Sequence, residues 1–171
     1  QLFWPLDIRL AFKSVFVIDP LYTLPFLTFV ILAMRHKRGT TKRIKYNKLG
    51  LLISSGYLVL GLILKANAHN NFVHSLERQG IFYERVDTRP SPFNTILWAA
   101  NVETEDAYLL GYYSFFDTQM IRFEVVPKNH DYLGRLKNDR NVQLLLKISK
   151  DWYTITQKNG DLYLNDLRFG K

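Results

Sequence analysis

Fifteen carboxylates, four histidines and no cysteine set the chemistry available to this chain. Without a thiol there is no disulfide framework, no thiolate metal site and no cysteine nucleophile. His36 belongs to a basic run, and His69 and His74 are five apart, a spacing that does not share a helical face. No H-E-x-x-H, no G-x-S-x-G elbow and no Walker or dinucleotide glycine pattern occurs. A metal site made within this chain is therefore not expected. Glu103, Glu105 and Asp106 cluster, but they read as a solvated turn. Asp19 is the carboxyl in an unusual place, because it interrupts an apolar stretch immediately before Pro20. Two roles are open to it. An Asp followed by Pro at the first helical position makes a good N-cap, and an acidic group at membrane depth tends to be functional.

Two apolar segments must position Asp19. Ser14–Met34 is 21 residues long with one charge, and Leu49–Leu64 is 16 residues long with none. A helix needs roughly 17–25 residues to cross hydrocarbon, so the first qualifies and the second is marginal, with Lys48 and Lys65 able to snorkel at its ends. Both are apolar around the whole circumference, which suits a bilayer better than an amphipathic surface. Gly50, Gly56, Gly61 and the Ser54-Ser55 pair would let neighbouring helices approach closely. Pro20 and Pro25 place the true start of the first helix near Pro20 or Leu21.

The formal charge of +8 has one address. Residues 35–48 carry Arg35, Lys37, Arg38, Lys42, Arg43, Lys45 and Lys48 with no anion, Lys65 follows alone, and the remainder is balanced. That placement makes 35–48 a basic loop between two transmembrane helices, at about 14–34 and 49–65, rather than a nucleic-acid surface. By the positive-inside rule the loop is cytoplasmic, and residues 1–13 and 66–171 lie on the extracytoplasmic side. The chain opens on Gln1 with no leader pattern, so it reads as a piece of a longer protein.

Beyond Lys65 the texture changes. Ala66–Gln79 reads as a polar extension of the second helix, stopped by Gly80. Runs of β-type residues follow at 81–88, 95–103, 107–116 and 121–126, then a helical stretch at 131–150 with Leu133, Leu136, Leu144, Leu145 and Ile148 as its apolar stripe. Trp152–Gln157 and Leu162–Arg168 flank Asn159-Gly160, the dipeptide favoured in a two-residue hairpin turn. The fold expected is α+β: two transmembrane helices, then a small, mainly antiparallel sheet domain with one or two helices. The aromatic run Tyr112, Tyr113, Phe115 and Phe116 fits a sheet packed on both faces, or an aromatic surface toward the bilayer or a substrate groove.

Four strings, VFVIDPLYTLPFL at 15–27, RPSPFNTILW at 89–98, DAYLLGYYSFFD at 106–117 and LYLNDLRFG at 162–170, occur in this order. Together they resemble the C-terminal portion of the YdjM-type family of LexA-regulated inner-membrane metal-dependent hydrolases. The resemblance implies a divalent metal such as zinc in the full-length protein. Its presumed ligands lie in acidic and histidine strings that do not occur here, so no metal-ligand role falls on any residue of this chain. It also implies a bacterial inner-membrane location and two partners, the lipid bilayer and an N-terminal membrane half of the same protein. Within the matching strings, Asp19, Asn94, Trp98, Tyr112, Asp117, Asp166 and Arg168 are the residues expected to stand near the site or face a substrate. The reading that follows is a membrane-anchored C-terminal part whose outer domain shapes or covers a site held upstream. The alternative is a membrane-tethered binding or sensor module without catalysis.

Overall fold

Asp19 and Pro20 start the first helix in the way a capping aspartate and a first-turn proline should. In the computed structural model, which describes residues 14–16, 19–92 and 95–168, α1 runs Pro20–Met34. The Asp19 backbone is extended and its Oδ1 accepts from Leu21 N at 2.9 Å. A short connection follows, with Gly39 at φ +84°, and α2 then runs Thr41–Arg78. The basic segment expected as a loop over 35–48 is therefore a loop only to Thr40. Its second half lacks glycine and proline and holds Lys42, Arg43, Lys45 and Lys48 on the opening turns of α2. Cations there oppose the helix dipole, each by roughly 0.3–1 kcal/mol, so helix stability does not explain them.

At 38 residues α2 is about 57 Å long. It passes from apolar to polar without a break and closes as a Schellman motif. Gly80 has φ +65°, Ile81 N donates to Leu76 O at 3.0 Å, and Gly80 N donates to Glu77 O at 3.0 Å. Of the described helices, α2 alone is long and apolar enough to cross a membrane. The second span expected from 14–34 is shortened to 15 residues, because Pro20 has no N–H to extend the helix backwards and Asp19 caps it.

Contacts divide the chain into two compact units. The first holds the described part of 1–70, Thr88–Trp98 and Ser114–Phe116; the second holds Asn71–Asp87, Ala99–Tyr113 and 117–171. In the first unit α1 lies antiparallel to α2, and the contact is made on small residues. A Cβ added at Gly50 would meet Phe29 Cβ at 2.9 Å, and one at Gly61 would meet the Ser14 carbonyl oxygen at 3.0 Å. Gly50, Ser54 and Gly61 are buried on one face of α2, with Tyr57 half-buried between them, while Leu51, Leu52, Ile53, Leu58, Val59, Leu60, Leu62 and Ile63 are exposed. Gly56 has nothing within 4 Å and takes no part in the close approach. Small residues lie inside and large aliphatics outside, the reverse of a soluble core.

Strands β1 (Arg85–Pro90), β2 (Leu97–Glu103), β3 (Ala107–Ser114) and β4 (Phe123–Pro127) form one sheet in chain order, with β3 and β4 antiparallel. A 3-10 stretch His130–Asn138, helix α3 (Arg140–Ser149) and the hairpin of β5 (Tyr153–Lys158) and β6 (Asp161–Asp166) complete the α+β fold. Asn159 and Gly160 have φ of 55° and 90°, as the two-residue turn requires. The second unit's core has two clusters. One is Tyr108, Leu110, Val126, Trp152 and Leu167; the other is Leu133, Leu146, Tyr153 and Ile155.

The helical stretch expected over 131–150 is broken. Gly134 takes φ 44° and ψ −123°, and Asp139 then caps α3 by accepting from Asn141 N at 2.8 Å. Of the expected stripe only Leu133 is buried, and Leu136, Leu144, Leu145 and Ile148 are exposed. In β3, Gly111 faces Phe123 so closely that an added Cβ would lie 2.7 Å from its ring. Gly111→Ala is therefore expected to destabilise the second unit by about 1–3 kcal/mol through overpacking. Denaturant unfolding of the full chain in detergent checks this, and an unchanged midpoint would contradict it.

Candidate functional site

The first unit joins two of the sequence candidates through residues that the sequence did not single out. Asp19 is 1% exposed, and its Oδ2 accepts from Tyr57 Oη at 2.6 Å. Tyr57 Oη also lies 3.4 Å from Thr95 Oγ1, and Trp98 Nε1 donates to the Thr95 carbonyl at 2.8 Å. Thr95 and Trp98 are both buried. A helix N-terminus, the middle of α2 and the start of β2 are thus tied by one chain of hydrogen bonds. The Tyr22 ring stands 6.0 Å from that of Tyr57 and stacks on Phe26 at 6.1 Å, closing the network from the α1 side.

This arrangement holds a polar group in an apolar setting. Both Asp19 oxygens are engaged, one by the helix backbone and one by a phenol, and almost no surface is left for a substrate. A general acid or base must come within hydrogen-bond reach of the atom it serves, which a sealed carboxyl does not do. Burial of this kind is tolerated when every polar atom has a partner, and no buried side-chain nitrogen or oxygen among the described residues lacks one.

The other candidates stand elsewhere. Asp166, the last residue of β6, pairs with Arg168 just beyond it, with Arg168 Nε 3.0 Å from Asp166 Oδ1 and Nη2 2.5 Å from Oδ2. That hydrogen bond raises the Arg168 pKa. Tyr112 is 55% exposed at the end of β3, and Asp117 lies on the surface beyond it. Asn94 lies outside the described residues, as do residues 1–13. Tyr57 carried one signal in the sequence, being the sole polar aromatic of the second apolar segment, where polar groups seek partners.

The second unit has its own polar centre. Glu103, expected in a solvated turn, is instead clamped. Arg85 Nη2 reaches its Oε2 at 2.9 Å and Lys128 Nζ reaches Oε1 at 3.2 Å. Glu105 and Asp106 do remain exposed. The Arg85 guanidinium lies 4.4 Å over the Trp152 ring, and Tyr108 Oη donates to the Asp151 carbonyl at 2.6 Å. Burial, with Glu103 and Tyr153 nearby, pushes the Tyr108 pKa well up. His130 Nε2 sits 3.0 Å from the Tyr153 carbonyl, which can only accept, so this nitrogen carries the proton. A cleft of about 750 Å³ opens here. Lys128, Lys137, Arg140 and Lys147 line it against Glu103 and Asp151, and Glu103 is already neutralised.

Among the described residues no three His, Cys, Asp or Glu side chains are grouped to hold a metal. Comparison of the chain with family models, curated proteins and solved structures returns no match.

Proposed function

We propose that this chain is a membrane-anchored module in which α2 crosses the bilayer and α1 lies against it. The connection at Arg35–Thr40 and the cationic first turns of α2 face the cytoplasm, and the α+β part is extracytoplasmic. The observation that carries this reading is the inverted packing of α2, with Gly50, Ser54 and Gly61 inside and eight large aliphatic side chains outside. In water that exposure would be heavily penalised, at about 25 cal/mol per Å² of apolar surface. In hydrocarbon it costs nothing, and small residues are what allow helix backbones to approach. At 15 residues α1 spans about 22 Å of a layer roughly 30 Å thick. Its polar start therefore needs the seal that Tyr57 and Thr95 provide.

With the resemblance of its four strings, the module is read as the C-terminal part of a bacterial inner-membrane metal-dependent hydrolase. Its α+β part shapes or covers a site whose ligands belong to a preceding segment. A metal bound there would supply an activated water and a Lewis acid. The residues described offer no ligand set, so no step is assigned to them.

The absence of cysteine makes topology directly measurable. Lys158→Cys, on the β5–β6 hairpin, is expected to react with an impermeant maleimide from the periplasmic side, and Lys37→Cys only after lysis. The opposite pattern would reverse the orientation, and recovery in the soluble fraction would overturn the anchor. For the hydrolase reading, the intact protein should retain a divalent metal through purification and lose phosphodiester or ester hydrolysis on chelation. A metal-free, inactive protein would favour the alternative of a tethered binding or sensor module.

A further inference from the structure

Helix α3 has three faces where a core helix has two. At about 100° per residue, Val142, Leu146 and Ser149 fall on one arc, and this arc meets the second unit's core. Leu144, Ile148 and Leu145 fall on a second arc of about 100° and stand 50%, 59% and 49% exposed. Arg140 and Lys147 border that arc on the side away from the core, and Lys137 precedes them in the 3-10 stretch. The segment 135–150 holds five cations (Arg135, Lys137, Arg140, Lys147 and Lys150) against the single anion Asp139, and Asp139 is engaged as the cap of α3. Leu136, in the 3-10 stretch before α3, is exposed as well.

We infer that α3 and the turn before it dock on the anionic surface of a phospholipid bilayer. Leu144, Leu145 and Ile148 enter the acyl boundary, and Lys137, Arg140 and Lys147 meet lipid phosphates. The charge complementarity names this occupant. An aliphatic arc edged by cations, with Asp139 engaged as the α3 cap and Asp151 set among the cations of the neighbouring cleft, has the composition of an interfacial helix, and each cation near such a surface adds to the attraction. A protein partner would be expected to meet that arc with a mixed, paired rim. The inference draws on the proposed anchor in one respect: covalent continuity through α2 keeps the second unit at high effective concentration beside the membrane.

The full chain is reconstituted in nanodiscs of phosphatidylcholine alone or with phosphatidylglycerol, and single cysteines carry an environment-sensitive fluorophore. At Leu145→Cys the emission is expected to rise about twofold and to be quenched by spin-labelled lipid in the anionic discs. High salt reverses the effect, and it is lost in the Lys137→Gln/Arg140→Gln/Lys147→Gln variant. A label at Tyr163→Cys, equally exposed on the hairpin, stays insensitive to lipid. Val59→Cys in α2 reports the anchor separately and is quenched in both discs. Quenching at 59 with none at 145 overturns the docking and leaves the anchor standing, whereas none at 59 overturns the anchor. Emission at 145 that rises with protein density but ignores lipid charge also overturns the docking, in favour of a second copy of the chain.

Discussion

Trp98→Ala is expected to lower the unfolding free energy by about 3–5 kcal/mol, the range for emptying a buried indole site. Trp98 is fully buried and is the largest side chain to be so among the described residues. Its removal also strips the Thr95 carbonyl of an indole donor at 2.8 Å. The two contributions can be separated. Trp98→Phe keeps most of the volume but leaves that buried carbonyl without its partner, so about 1–3 kcal/mol of loss should remain. Chemical denaturation in detergent micelles, followed by the emission of the other tryptophans, measures both variants. An alanine variant as stable as the parent would remove Trp98 from the core and return it to consideration as a substrate-facing residue.

The expected loss follows from a long-range contact, and such contacts mark the limit of what the sequence discloses. Local features were legible. Asp19-Pro20 announced a cap, Gly80 a helix stop and Asn159-Gly160 a hairpin, because each acts on backbone within four residues of itself. The α+β class was legible in the change of texture after Lys65. The division of labour within elements was not. Leu144, Leu145 and Ile148 have the spacing of a core stripe, yet Leu146 is the residue that packs. The break at Gly134 and the cap at Asp139 reset the helix phase, and periodicity read across 131–150 cannot register a break in the middle. Glu103 looked like one acid in a solvated turn because Arg85 and Lys128, its two partners, are 18 and 25 positions away. Likewise the positive run reads as loop up to Lys48 although α2 begins at Thr41, because charge says nothing about where the backbone becomes helical.

Asp19 offers the sharpest test of whether the network linking α1, α2 and β2 is structural. Asp19→Ala is expected to destabilise by about 2–4 kcal/mol. Loss of the cap contributes about 1 kcal/mol, and leaving the Tyr57 hydroxyl with only its 3.4 Å contact to Thr95 Oγ1 contributes about 1–3 kcal/mol more. Asp19→Asn should lie within about 1 kcal/mol of the parent, since asparagine caps as well as aspartate and its amide can donate to the phenol oxygen. Tyr57→Phe in the parent removes the 2.6 Å donor from a sealed carboxyl and destabilises. In the alanine background the hydroxyl keeps only its 3.4 Å contact with Thr95 Oγ1, so the same change should cost clearly less. Coupling of that sign is the signature of two groups satisfying each other, and additive effects would show that the pair is not coupled. Activity of the intact protein adds an independent axis. An Asp19→Asn variant that keeps both fold and turnover assigns the carboxyl to architecture. One that folds normally but loses turnover assigns it to chemistry that this sealed geometry does not display.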